Sequence, residues 1–216
     1  MMNTLNREQV VAILTALTHE MQAKKDYLIE LDSAIGDGDL GITVDRGFQG
    51  VRDGLQTPAA DIGRILSKAG MDFSNSAGST MGALLGTAFM RAGKQVQGQG
   101  EITLADLARM VKAGEDGIVE RGKAHVGDKT VLDAIVPARE VLERAAQDGS
   151  TLLDALQRAL TAAEEGMRST VNMQAIFGRA RWLGERSIGH QDPGATLIVL
   201  ILTSIVQSVS KLDAAG

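Results

Sequence analysis

Apolar residues return every three or four positions along most of this chain, and four glycine-rich polar stretches break the rhythm, at 32–43, 74–82, 122–131 and 175–194. That spacing lines up apolar side chains on one face of an α-helix. Asn6 with Gln9 three residues on forms a capping-box pattern. Val10, Val11, Leu14, Leu17 and Met21 follow, which predicts a first helix over 6–31. Further helices are predicted over 45–55, 60–71, 83–94, 104–121 and 129–147, around Leu152, Leu153, Leu156 and Leu160, and over 192–212. Thr103 with Asp106 marks one start and Asp192-Pro193 another, as N-cap and first helical residue. The count is about eight helices with short connections and no alternating strand, which makes an antiparallel all-α bundle. In such a bundle alternate connections gather at one end. The four irregular stretches are alternate connections, so they are expected to build a site together.

Composition agrees. Four Phe, one Trp, one Tyr and three Pro in 216 residues leave little to favour strands, while the 25 glycines belong at turns and sites. The length suits one domain, 1–216. A net charge of −5 argues against nucleic acid as partner and against an anionic membrane surface. Absence of cysteine excludes a disulfide scaffold or thiolate zinc and fits a cytoplasmic protein. No apolar signal core opens the chain, and the apolar run 195–206 is expected to be a buried helix, short of the ~20 residues a membrane span needs.

The richest stretch is Asp32-Ser33-Ala34-Ile35-Gly36-Asp37-Gly38-Asp39-Leu40-Gly41. Gly36, Gly38 and Gly41 match a dinucleotide fingerprint, but that motif follows a strand, and here a helix precedes. Two aspartates would also face the pyrophosphate; like charges about 4 Å apart repel by about 4 kcal/mol at an effective dielectric of 20. An EF-hand fails as well, because Gly41 stands at the third ligand position and no glutamate stands at the twelfth. A magnesium–polyphosphate site remains: carboxylates take the hard cation, and glycines let backbone N–H groups approach phosphate. The bland alternative is a solvated Asp-Gly turn.

The other stretches carry less alone. Gly122-Lys123-Ala124-His125-Val126-Gly127-Asp128-Lys129-Thr130 imitates a P-loop, but Asp128 separates Gly127 from Lys129. Asp128 reads better as an N-cap. Arg179, Arg181 and Arg186 surround the only Trp, as a phosphate clamp or a surface salt-bridge cluster. Ser76 to Gly82 can offer hydroxyls and N–H groups. His19, His125 and His190 are scattered, and no zinc-protease or serine-hydrolase motif occurs.

Together these stretches resemble the dihydroxyacetone kinase L-subunit family. The resemblance rests on Leu31 to Gly41, Gly122 to Thr130, Gly178-Arg179-Ala180 and Gly184 to Thr196, and runs over nearly the whole chain. It implies an antiparallel eight-helix barrel with a nucleotide, ADP or ATP, at one end. Asp32, Asp37 and Asp39 match the family's ligands for two Mg2+ ions. Leu40, Gly41, Ile42, Thr43, Thr80, Met81, Gly122, Val131, Arg179, Asp192, Pro193 and Gly194 match its nucleotide-contacting positions. Leu40 stands where the family often has His, so backbone contacts carry over there and a side-chain contact does not.

The resemblance further implies a phosphotransferase whose acceptor, dihydroxyacetone or a related short ketose, is held by a histidine of a separate K-type subunit. No acid or base is then expected in this chain, and Arg179 is expected to stabilise phosphate. A chain without a fused acceptor domain points to the version in which bound ADP is rephosphorylated by a phosphohistidine protein of the phosphoenolpyruvate relay. An ATP-exchanging split kinase and a regulatory partner of a transcription regulator are the alternatives. A homodimer is expected.

Overall fold

A computed structural model describes residues 2–215. Among them the chain forms β1 (Thr4–Asn6), α1 (Arg7–Ala23), α2 (Lys25–Ser33), α3 (Leu40–Gly54), α4 (Ile62–Ala77), α5 (Thr80–Gln95), β2 (Glu101–Thr103), α6 (Leu104–Gly122), α7 (Leu132–Asp148), α8 (Leu152–Ser169) and α9 (Pro193–Ala215). Short 3-10 turns occupy Thr170–Asn172 and Ala180–Ser187, the second broken at Gly184.

From α3 onward each helix packs against the next, and α9 returns to α1, which itself lies against α3. The result is a closed antiparallel ring. Counting the broken first helix once gives the eight expected members. Their apolar faces meet in one continuous core, where Phe48 and Phe73 lie edge to face with centroids 5.0 Å apart. Antiparallel packing sends the α2–α3, α4–α5, α6–α7 and α8–α9 connections to one end, as the sequence pattern requires.

Several boundaries differ from expectation. The first helix breaks at Lys24, with α2 setting off as a separate element towards the acidic stretch. α3 starts at Leu40 instead of near 45, because a glycine in a first turn costs little and Gly41 is needed there for close packing. α4 runs to Ala77, so only Gly78 and Ser79 separate it from α5. α7 starts at Leu132, later than 129. β1 and β2 form an unexpected two-stranded antiparallel ribbon, Leu5 opposite Ile102, at the end away from the four connections. Three residues per strand are too few to show alternation.

The capping boxes are present. Asn6 accepts from Gln9 N at 2.9 Å and Gln9 returns the bond at 2.8 Å. Asp106 accepts from Thr103 N at 2.8 Å and from Thr103 Oγ1 at 2.6 Å, and pairs with Arg109. Burial acts to raise the Asp106 carboxyl, but the Thr103 donors and Arg109 outweigh it and hold it below its ordinary value. Asp106→Ala is expected to lower stability by about 1–2 kcal/mol, read from the urea midpoint. Because the carboxyl's pKa is lowered on folding, the Asp106 contribution is present above about pH 4 and disappears as pH falls through the lowered value.

α9 is long and apolar enough, by length and composition, to cross a membrane. Here it closes the ring between α8 and α1, with Ala195, Leu197 and Val209 fully covered.

Candidate functional site

All four connections at the ring's end contribute to one cavity of about 800 Å3. The α2–α3 connection supplies its acidic edge. α2 carries Asp32 on its last turn, and the chain then turns through Gly36 and Gly38 to deliver Asp37 and Asp39. Gly38 adopts a φ of +74°, a left-handed conformation that suits glycine. One carboxylate oxygen from each of Asp32, Asp37 and Asp39 lies within 4.8 Å of the others.

That crowding has an electrostatic signature. Burial raises the Asp32 carboxyl above its ordinary value. The Leu40 N–H, 3.2 Å from Oδ2, opposes the rise, and the charges of Asp37 and Asp39 add to it. The countercharge comes from across the cavity. Arg179 Nη1 lies 2.8 Å from Asp37 Oδ2, and Nη2 lies 4.0 Å from Asp39 Oδ2. A set of three carboxylates that draws a guanidinium has the hard oxygen donors and the negative charge that Mg2+ takes. Calcium-loop geometry is absent, since the ligands come from a helix end and a turn.

Asp32, Asp37, Asp39, Leu40, Thr80, Met81, Gly122, Val131, Arg179, Asp192, Pro193 and Gly194 all line this cavity. Gly41, Ile42 and Thr43 do not. They lie within the first turns of α3. A Cβ on Gly41 would sit 2.2 Å from the Lys25 carbonyl oxygen and 2.7 Å from Ile29, so this glycine serves the approach of α3 to α2. What Gly41 and Ile42 can offer a ligand is the N–H groups of a helix start, whereas Thr43 N already donates to the Asp39 carbonyl at 2.9 Å.

At the α4–α5 connection, Ser79 caps α5 through Gly82 N at 3.0 Å, and Ser79 and Thr80 face the cavity. At α8–α9, Asp192 caps α9, accepting from Ala195 N at 2.6 Å. Its carboxyl is pushed up to about 7, chiefly by burial. The Ala195 N–H opposes this, the Asp133 charge adds to it, and Lys129 and the Gly194 N–H oppose it.

The α6–α7 connection agrees with one expectation and corrects another. It follows a helix, so it is no P-loop, and Asp128 does not cap α7: its carboxylate accepts from His125 N at 2.7 Å. The organising carboxylate is Asp133, on the first turn of α7, which accepts from Gly127 N at 2.6 Å and Thr130 N at 2.7 Å. Lys129 turns inward to backbone carbonyls. Neither role has a sequence signal beyond a polar residue beside a glycine turn. The three arginines also separate: Arg179 meets the aspartates, whereas Arg181 stacks at 4.6 Å on the exposed Trp182.

The family model described as the DAK2 domain matches residues 34–207. The chain is 42% identical over 209 residues to the PEP-dependent dihydroxyacetone kinase, ADP-binding subunit DhaL, of Escherichia coli strain K12, covering 96% of this chain and 100% of that one. It is 37% identical to the PEP-dependent dihydroxyacetone kinase 2, ADP-binding subunit DhaL, of Listeria innocua, covering 88% of this chain and 89% of that one. Its fold is similar to that in the crystal structure of the dihydroxyacetone kinase from C. freundii in complex with AMP-PNP and Mg2+, with a TM-score of 0.72 at 24% identity, over 96% of this chain and 35% of that chain.

Proposed function

As the chain belongs to the DAK2-domain family, we propose that it is the ADP-binding phosphotransferase subunit of a dihydroxyacetone-type kinase, its whole length acting as one nucleotide-binding domain. The observation that carries this reading is the convergence of Asp32, Asp37, Asp39 and Arg179 on one cavity, in a chain matching an ADP-binding subunit along that subunit's full length. A cavity of about 800 Å3 has the size of a cofactor site.

Phosphoryl transfer asks a protein mainly for positioning and for neutralisation of charge. Mg2+ bound to the three aspartates supplies that neutralisation at phosphate oxygens. The chain's own residues do the rest. Asp32, Asp37 and Asp39 would hold the metal ions, Gly41 and Ile42 present N–H groups at the start of α3, and Arg179 holds phosphate. Leu40, Thr80, Met81, Gly122, Val131 and Asp192 to Gly194 form the nucleotide's walls. Among the described residues no histidine lines the cavity, which fits an acceptor bound to a separate subunit.

The partners in this reading are a dihydroxyacetone-binding K-type subunit and a phosphohistidine donor of the phosphoenolpyruvate relay. A chain without cysteine that works with such a relay belongs in the cytoplasm. We extend the proposal to a homodimer, tested by sedimentation, and to contact with a transcription regulator, tested by pull-down with and without nucleotide.

Nucleotide content tests the central claim. ADP is expected to survive gel filtration at one per chain and to leave when EDTA strips the metal. ATP exchange without retained ADP would favour the split ATP-dependent kinase. Failure to bind either nucleotide with Mg2+ present would overturn the reading.

A further inference from the structure

Lys129 is the one lysine among the buried polar residues, 2% exposed, at a left-handed φ of 61°. Its Nζ lies 2.9 Å from the Thr170 carbonyl oxygen, 3.1 Å from that of Met173, 2.7 Å from that of Ser187 and 2.5 Å from that of His190. Four acceptors around one nitrogen fit an ammonium ion, whose three N–H groups can all donate. A neutral amine would aim its lone pair at a carbonyl oxygen. Burial pushes the Lys129 amine below its ordinary value, and the Asp192 charge opposes that shift.

The four carbonyls come from the two ends of one segment. Thr170 and Met173 open it; Ser187 and His190 close it. Between them the segment places Phe177, Arg179 and Trp182 on the cavity wall. Its apolar anchorage is confined to Ala175 and Phe177, while Ile176, Trp182 and Ile188 are all exposed. Further bonds tie the same two ends, from Ala175 N to Ser187 Oγ at 2.9 Å and from Gly189 N to the Val171 carbonyl at 2.8 Å. Lys129 links both ends to the α6–α7 connection, where the Asp128 carbonyl also accepts from Ile176 N at 3.3 Å.

We propose that Lys129 is the positioning residue for Arg179: its buried ammonium clamps both ends of the 170–190 segment, so that the middle of the segment holds Arg179 against Asp37 and Asp39. What the clamp does for ADP rests on the nucleotide-site reading; the clamp itself does not.

The test uses the full chain carrying Lys129→Met, which keeps the length and removes the charge. Trypsin cleavage after Arg181 and Arg186, located by mass spectrometry, is expected to quicken by at least about tenfold while helical content stays intact, because proteolysis follows the population of the opened segment. ADP affinity is expected to fall about as far as in Arg179→Ala, and the double variant no further, because the two act through one guanidinium. Unchanged cleavage, or additive losses of affinity, would overturn the clamp.

If Lys129→Met does not fold, Lys129→Ala is refolded with ethylammonium. Recovery of fold and protection, absent with sodium at equal ionic strength, supports the clamp; no recovery overturns it. Should the wild-type chain fail to bind ADP while Lys129→Met still loosens the segment, the nucleotide reading falls and the clamp stands.

Discussion

Asp37→Asn is expected to abolish ADP retention and to lower phosphoryl transfer by at least about 10³-fold, the scale of losing one preorganised charge contact at a transferring group. Asp37 is the carboxylate that Arg179 approaches to 2.8 Å, and it stands within 4.8 Å of Asp32 and Asp39. Asparagine fills nearly the same space but removes one of three negative charges, and its amide is a poor ligand for Mg2+. The fold has little stake in the change. Asp37 sits on an exposed turn, and its charge adds to the raised pKa of Asp32. Stability of the metal-free chain is therefore expected to move by no more than about 0.5 kcal/mol. Chromatography of released nucleotide reads retention, a coupled assay with the K-type subunit reads transfer, and the urea midpoint of the metal-free chain reads stability. Full transfer by a well-folded Asp37→Asn chain would remove the carboxylates from the mechanism.

The second large effect concerns stability. A Cβ added to Gly166 on α8 would lie 1.9 Å from the Asp133 carbonyl oxygen and 3.3 Å from Pro137 Cγ, both on α7. Backbone cannot swing aside as a flexible side chain can, so α7 and α8 must separate. Gly166→Ala is expected to cost about 3 kcal/mol. In a chain of this length that lowers Tm by roughly 6–12 °C. Gly100→Ala is the control: nothing lies within 4 Å of its added Cβ. Its stability is expected to stay within about 0.5 kcal/mol of the parent. An unshifted Tm for Gly166→Ala would mean that the two helices do not meet so closely. The site should feel the change too, because the first turn of α7 carries Asp133, which holds Gly127 and Thr130 in the connection that borders the cavity.

The ring was legible because its signals are local. Periodic apolar residues mark the helices, and Asn6, Thr103 and Asp192 cap three of them as their side chains predict. Alternation of loops along the chain was enough to bring four of them to one end. The break at Lys24 has no such signal. Ala23, Lys24 and Lys25 all favour helix, and packing of α2 against α3 overrides them. Gly41 misled in the other direction: a glycine beside two aspartates reads as loop, while the fold uses it as a helix residue that must admit a neighbouring backbone.

The site divides in the same way. Asp32, Asp37 and Asp39 stand out by charge and spacing. Charge and spacing do not distinguish Arg179 from Arg181 and Arg186; only the family resemblance singled it out, and the fold before the turn at 180–187 brings it to the aspartates. Lys129 was hidden altogether, since its partners are carbonyls, which every residue possesses.

The closure of the ring by α9 against α1 also bears on how the chain assembles in time. Most of the packing from α3 to α9 joins elements adjacent in sequence, with smaller contacts between α3 and α5 and between α7 and α9, so its loop closures are short and its formation fast. The α1–α9 seam, joined by α2 against α9 and by the bond from Met2 N to the Asp213 carboxylate, unites the two ends of the chain and carries the largest closure entropy. Helical hairpins therefore form first and the seam closes last. Until it does, the long apolar face of α9 stays open to water, and that interval is when a newly made chain is most prone to aggregate.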